Sequence, residues 1–182
     1  MDSKIIDTIM DSKTLERTIK RIASEIVENY DNKYDLVLVG MKTRGEYIAI
    51  RILEEIKKLE NISVEMGVLD ATLYRDDFRT NLKVPNISIG DMPFIIDNKK
   101  IILIDDVVFT GRSIVAGINA VMDLGRPKAI ELAALIDRGL REMPLCPNYI
   151  GKTVKTLPSQ EIRVRLKECD GGTDAVHLVE KV

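Results

Sequence analysis

The chain has 182 residues, 45% of them apolar and 31% charged, with a formal net charge of −2 and an isoelectric point near 5.6. That apolar share is ample for one buried core and excludes a disordered chain, while the balanced charge removes any bulk electrostatic case for nucleic-acid binding but leaves room for a local basic face. No apolar run approaches a membrane span, the N-terminus lacks a signal-peptide layout, and Cys146, Cys169 and His177 support neither a disulfide framework nor a structural zinc site, so a cytoplasmic protein is expected.

From Leu15, apolar residues recur at Ile19, Ile22 and Ile26 with helical spacing, and Asp11 or Ser12 is placed to cap the start. The other side carries Lys13, Arg17, Lys20 and Arg21, ordinarily a solvated face and only sometimes a binding surface. Residues 35–40, Asp-Leu-Val-Leu-Val-Gly, read as a short buried strand, and Met41-Lys42-Thr43-Arg44-Gly45 follows at its C-terminal end. The next helix presents Ile48, Ile52, Leu53 and Ile56 inward. A basic pair flanking Thr43, with Gly45 freeing the backbone, suits a polyanion such as pyrophosphate, although Lys42 and Arg44 as plain surface charges remain the alternative. Residues 63–74 alternate through Val64, Met66 and Val68 and predict a strand. Periodicity then stops over 75–93, which holds two prolines and Arg75, Arg79 and Lys83 and predicts a flap or an ordinary surface hairpin.

Residues 101–113 read Ile-Ile-Leu-Ile-Asp-Asp-Val-Val-Phe-Thr-Gly-Arg-Ser. Four apolar residues bounded by charge predict a central strand buried on both faces, and polar groups at such a strand's C-terminal end stand where open α/β sheets bind ligands. Asp105 and Asp106 can accept hydrogen bonds from ribose hydroxyls, while the backbone and hydroxyls of Thr110 to Ser113, opening a helix, can hold a phosphate. Taken singly, each feature reads as a strand end or a helix cap. Ile114, Ile118, Val121 and Met122 form the next helical face, stopped by Gly125 and Pro127, and residues 130–136 predict another strand ending in Asp137-Arg138-Gly139. The strands near 36, 64, 101 and 131 therefore predict a mainly parallel sheet with helices on both faces. The short alternating pieces 148–151, 161–166 and 175–179 predict strands that partly form a smaller lobe, with Gly171-Gly172 as a turn, within a single domain over 1–182.

The 101–113 stretch resembles the phosphoribosyl-pyrophosphate signature of type I phosphoribosyltransferases: four apolar residues, two acidic, a variable stretch, then Thr-Gly-x-Thr/Ser, with Ser113 for the commoner Thr. Val39-Gly40-Met41-Lys42-Thr43-Arg44-Gly45, Thr72-Leu73-Tyr74-Arg75-Asp76-Asp77, Leu124-Gly125-Arg126-Pro127, Asp137-Arg138-Gly139 and Tyr149-Ile150-Gly151-Lys152 extend the likeness over nearly the whole chain. Together they resemble one family, bifunctional regulators of the pyrimidine operon that are also uracil phosphoribosyltransferases. The resemblance implies the type I fold, with a hood lobe and a flexible β-hairpin flap, and the conversion of uracil and phosphoribosyl pyrophosphate to UMP and pyrophosphate. It implies Mg²⁺ carried by phosphoribosyl pyrophosphate without direct protein ligation, Asp137 being a candidate for a metal-water or pyrophosphate contact. Asp105, Asp106 and Arg44 are the implied catalytic residues. Thr43 and Arg44 take the pyrophosphate, Val107, Val108, Phe109, Thr110, Gly111, Arg112 and Ser113 form the ribose-phosphate segment, and Arg138 with the backbone at Ile162 lines the nucleobase side. The family also implies a homodimer or higher homo-oligomer and UMP-dependent binding of leader RNA, for which Lys20, Arg21, Arg141 and Lys152 are the basic candidates. Leu140 stands where the family often has His, Cys146 where it has a basic residue and Asn29 where it has Arg. A salvage enzyme without RNA binding, and an RNA-binding regulator whose weakly active site only senses nucleotide, are the alternatives.

Overall fold

In the computed structural model residues 3–31, 35–70 and 92–181 are described. Two sheets organise them. Strands β2 (Leu36–Met41), β3 (Glu65–Leu69), β4 (Lys100–Val108), β5 (Ala129–Asp137) and β6 (Tyr149–Thr153) form a parallel sheet in the order β3-β2-β4-β5-β6. Strands β1 (Ser3–Met10), β7 (Gln160–Arg165) and β8 (Ala175–Lys181) form a separate antiparallel sheet in the order β1-β8-β7, the hood.

The alternation of side chains across β2, β4 and β5 divides the core in two. Leu36, Leu38, Ile102, Ile104, Ala133 and Leu135 face α1 (Ser12–Glu28) and α2 (Arg44–Leu59), and the same core takes in Ile162, Val164 and Val176 of the hood. Val37, Val39, Ile101, Leu103, Leu132 and Ala134 face α3 (Arg112–Leu124) on the other side. Helix α1 begins where Asp11 accepts a hydrogen bond of 2.7 Å from the Thr14 N–H, an N-cap contributing about 1 kcal/mol. Its buried positions Leu15, Ile19, Ile22 and Ile26 are those the sequence spacing selects.

Two expectations shift, and one strand goes unpredicted. Residues 149–153 belong to the parallel sheet as its edge strand, not to the small lobe, because an edge strand is covered unevenly and so reads like a half-exposed hood strand. Met122 is 58% exposed; the buried face of α3 is carried by Ile114, Ala116, Gly117, Ala120 and Val121, small residues that bring the helix close to the sheet, where a Cβ on Gly117 would lie 3.1 Å from Leu103 Cδ2. Strand β1 was signalled only by the β-branched run around Ile5 and Ile6, both exposed. Of the predicted strand 63–74, residues 65–69 form β3, and 71–74 lie outside the described residues, as do the Thr72-to-Asp77 motif and the flap segment up to 91.

Candidate active site

The chain leaves β2 through α2 to β3 on one side, then returns to β4 and leaves through α3 to β5 on the other. The crevice outside the C-terminal ends of β2 and β4 is therefore the point where the winding reverses, the place where such sheets bind ligands. Three segments meet there: residues 42–44 after β2, 109–111 after β4 and 138–141 after β5.

Two glycines fold the first segment tightly. A Cβ on Gly40 would stand 2.5 Å from the Glu46 Cα, and one on Gly45 would stand 2.4 Å from the Ile104 carbonyl oxygen, so α2 starts pressed against the end of β4. Lys42 and Thr43 are exposed, the peptide joining them is cis, and the Thr43 hydroxyl makes no cap bond to α2. Arg44, partly buried, gives Asp170 a two-pronged contact, Nε to Oδ2 at 3.1 Å and Nη2 to Oδ1 at 2.5 Å. Asp170 ends α4 (Lys167–Asp170), and also accepts from the Leu166 N–H at 2.9 Å. The bond from Arg44 holds the Asp170 carboxyl down at about 2.

Asp105 and Asp106 sit half-buried near the end of β4. Asp105 Oδ1 accepts the Asp106 N–H and Asp106 Oδ1 accepts the Val107 N–H, each at 2.9 Å. Burial raises the Asp106 carboxyl above the ordinary carboxylate range, against the lowering effect of the Val107 N–H and the charge of Arg44. Val107 and Val108 complete the strand, Val108 buried.

Phe109 and Thr110 then turn into Gly111, whose φ of 89° lies in the left-handed region that favours glycine, and α3 begins at Arg112. The Val115 N–H closes the first helical turn on the Gly111 carbonyl at 3.0 Å, so the preceding N–H groups of residues 112–114 are the ones a helix start offers to an anion. Thr110 Oγ1 lies 3.4 Å from the Arg112 N–H, and Ser113 stands half-buried in the first turn. From below, residues 142 and 143 donate to the Thr110 carbonyl, and Arg112 pairs with Glu142 at 2.6 Å.

Arg138 is 6% exposed. Its Nε donates to Thr156 Oγ1 at 2.7 Å and its Nη2 to the Gln160 carbonyl at 2.6 Å, which ties β5 to the hood. Its guanidinium lies 3.8 Å from the centroid of the Phe109 ring, a cation–π contact that partly offsets a burial that lowers its pKa. Ile162, buried on β7, pairs with Leu178.

The structure thus brings Thr43, Arg44, Asp105, Asp106 and the 109–113 turn to one crevice, with Arg138 alongside. The basic candidates divide. Arg21 pairs with Glu25 and reaches the Ile150 and Gly151 carbonyls at 2.9 and 2.6 Å, and Lys152 donates to the Ile9 carbonyl at 3.3 Å, so these two lie around the α1–β6 edge, while Lys20 pairs with Glu16 at 2.6 Å along α1. Arg141 instead turns its guanidinium into the fold, onto Asp137 and the carbonyls of Val108, Phe109 and Gly139. Asp137 is accordingly engaged by Arg141 at 2.6 Å and by the Gly139 N–H at 2.9 Å.

Sequence reasoning missed Asp170 and the companion cluster in which Arg51 holds Glu168 and Asp174 at 2.6 and 2.7 Å. The available signal was the pair Arg44 and Arg51, two turns apart on one helix, with the acidic turn Lys-Glu-Cys-Asp-Gly-Gly-Thr-Asp downstream.

A parallel sheet with an acid pair and a phosphate-type turn at its switch point defines a phosphoribosyltransferase of type I. The model of the phosphoribosyl transferase domain matches residues 6–168. The bifunctional protein PyrR of Enterococcus faecalis is 48% identical over 163 residues, covering 90% of this chain and 91% of its own. That of Halalkalibacterium halodurans is 45% identical over 175 residues, covering 95% and 97%. A hypoxanthine-guanine phosphoribosyltransferase from Bacillus anthracis shares the fold with a TM-score of 0.70 at 18% identity, covering 99% of this chain and 100% of that one. The chain is a phosphoribosyltransferase and belongs to the PyrR family.

Proposed function

We propose that this chain makes UMP and pyrophosphate from uracil and phosphoribosyl pyrophosphate, and that it binds pyrimidine-operon leader RNA when UMP is bound. The observation that carries the first part is the Asp105–Asp106 pair beside the α3 turn at the sheet's switch point, in a chain 45–48% identical to proteins named bifunctional PyrR.

In the transfer, the bond from ribose C1′ to the pyrophosphate oxygen breaks with its electron pair leaving on pyrophosphate, uracil N1 forms the new bond to C1′, and the N1 proton passes to water. Positive charge builds on the ribose, so positioning and electrostatics carry the catalysis and no side-chain nucleophile is needed. Asp105 and Asp106 hold the ribose hydroxyls and set negative charge near that cation. The segment from Val107 to Ser113 seats the ribose 5-phosphate, with the N–H groups and hydroxyls of the turn on the phosphate. Thr43 and Arg44 receive the pyrophosphate, for which Arg44 exchanges its contact with Asp170. Arg138 and the backbone at Ile162 lie toward the base. Phosphoribosyl pyrophosphate would bring Mg²⁺ with it, without direct ligation by the protein, and the ion would supply charge neutralisation on the leaving group; Asp137, the candidate for a metal-water contact, is held by Arg141.

For RNA, Lys20, Arg21 and Lys152 supply phosphate contacts, extended by pairing two subunits in a homodimer; Arg141 joins them where its inner contacts allow. Among the described residues no helix is long and apolar enough to cross a membrane, and we place the protein in the cytoplasm. A salvage enzyme without RNA binding is the second reading, and Asn29 favours it: where the family has Arg, its side-chain amide closes α1 on the Glu25 carbonyl at 2.8 Å. Measuring UMP formation and leader-RNA binding on one preparation separates the readings. UMP synthesis with UMP-dependent RNA binding supports both parts, synthesis alone leaves salvage, and RNA binding without synthesis leaves a nucleotide-sensing regulator.

A further inference from the structure

We propose that Arg141 is a positioning residue for the transfer reaction, fastening the ribose-phosphate turn after β4 to the end of β5. Its Nη1 donates to the carbonyls of Phe109 at 2.6 Å, Val108 at 3.2 Å and Gly139 at 3.3 Å, while its Nη2 donates to Asp137 Oδ1 at 2.6 Å. The side chain is 19% exposed. Strand β4 ends at Val108, so its ladder no longer fixes the Phe109 carbonyl, which lies directly before Thr110 and Gly111. Arg141 takes over where the ladder stops. A planar fork can address several carbonyls and a carboxylate at once, which a lysine ammonium cannot do with the same geometry. Asp137, itself fixed by the Gly139 N–H, supplies the compensating charge.

Two further features fit a role in the site. Phe109 is gripped twice, at its carbonyl by Arg141 and on its ring by Arg138, so the turn is held against the nucleobase side. The Nε of Arg141 is buried and makes no hydrogen bond among the described residues, so its two Nη groups alone set where the guanidinium points.

The inference rests on reading the 110–113 turn as the 5′-phosphate seat. Its test combines calorimetric titration of the full chain with ribose 5-phosphate and steady-state kinetics. Arg141→Gln should raise both the Kd for ribose 5-phosphate and the KM for phosphoribosyl pyrophosphate about tenfold or more, with the KM for uracil changed less than about twofold. Arg141→Lys should lie between, and Asp137→Asn combined with Arg141→Gln should add little to Arg141→Gln alone. A folded Arg141→Gln protein with constants within about twofold of wild type overturns the proposal. So does an equal loss toward uracil accompanied by a lower Tm, which marks a merely structural role. Where Arg141→Gln does not fold, Arg141→Lys decides by the same comparison, unchanged constants overturning the idea. A wild-type protein that binds ribose 5-phosphate but makes no UMP sinks the transferase reading and leaves the Arg141 test intact; one that does not bind it sinks both.

Discussion

Asp106 illustrates how a carboxyl buried in the proposed site works against the stability of the fold that holds it. Burial raises its pKa, so between the unfolded value near 3.9 and the higher folded value the native state binds more protons than the unfolded chain. Stability therefore falls as pH rises through that window. Asp106→Asn keeps an oxygen for the Val107 N–H and removes the charge. The variant should melt higher than wild type at pH 7 and close to it at pH 3, while UMP formation drops about a hundredfold or more. Thermal scans at the two pH values with parallel assays check this, and wild-type rates in the double variant Asp105→Asn/Asp106→Asn would remove the pair from the mechanism.

At the level of the element, the start of α2 sets the proposed pyrophosphate loop against the Asp105–Asp106 end of β4. Gly45→Ala would place its methyl 2.4 Å from the Ile104 carbonyl, so the helix must lift off β4 and carry Arg44 away from Asp106. A loss of roughly 1–3 kcal/mol and a strong fall in activity are expected, read by denaturant melts and UMP assays. The other end of the contact is α4. Asp170 has its carboxyl held at about 2 by the bond from Arg44, so its stabilisation is present above the unfolded value near 3.9 and is lost as pH falls through about 2. Asp170→Asn should melt below wild type at pH 6, the gap narrowing toward pH 2. It should also bind pyrophosphate several-fold more tightly, because Arg44 no longer has to be drawn from a carboxylate; equal or weaker binding by calorimetry would mean that Asp170 does not compete for Arg44. Local sequence reveals one half of this arrangement and hides the other. The loops at 42–44 and 109–113 are legible because each is a run of neighbouring residues at the end of an apolar strand. Arg44 and Asp170 stand 126 positions apart, and nothing short of the folded hood brings them together.

For the whole molecule, the same contrast separates sheet from lobe. Strands β2, β4 and β5, buried on both faces, announce themselves as continuous apolar runs, and their order follows from the alternation with helices. The hood strand β1 exposes Ile5 and Ile6, and β6 is a sheet edge, so neither carries a pattern that says which sheet it joins. For the RNA surface proposed above that placement matters, because β6 brings Lys152 to the side of α1 that carries Arg21. Arg21 also braces β6 through the Ile150 and Gly151 carbonyls, whereas Lys20 is held by an exposed pair with Glu16 and Lys152 by the Ile9 carbonyl. A phosphate-binding surface here predicts leader-RNA affinity that weakens steeply with salt. Lys20→Gln with Lys152→Gln should lower the slope of log K against log salt by about one for each phosphate that is no longer neutralised, with UMP synthesis and Tm near wild type. Adding Arg21→Gln should weaken RNA further and also lower Tm, since two carbonyls are then without their donor. Filter binding across a salt series, with and without UMP, measures this. A wild-type protein with no UMP-dependent preference for its leader RNA over an unrelated hairpin would leave Asn29, Leu140 and Cys146 as marks of a uracil salvage enzyme, since a surface that no longer meets RNA has no use for the basic groups they replace.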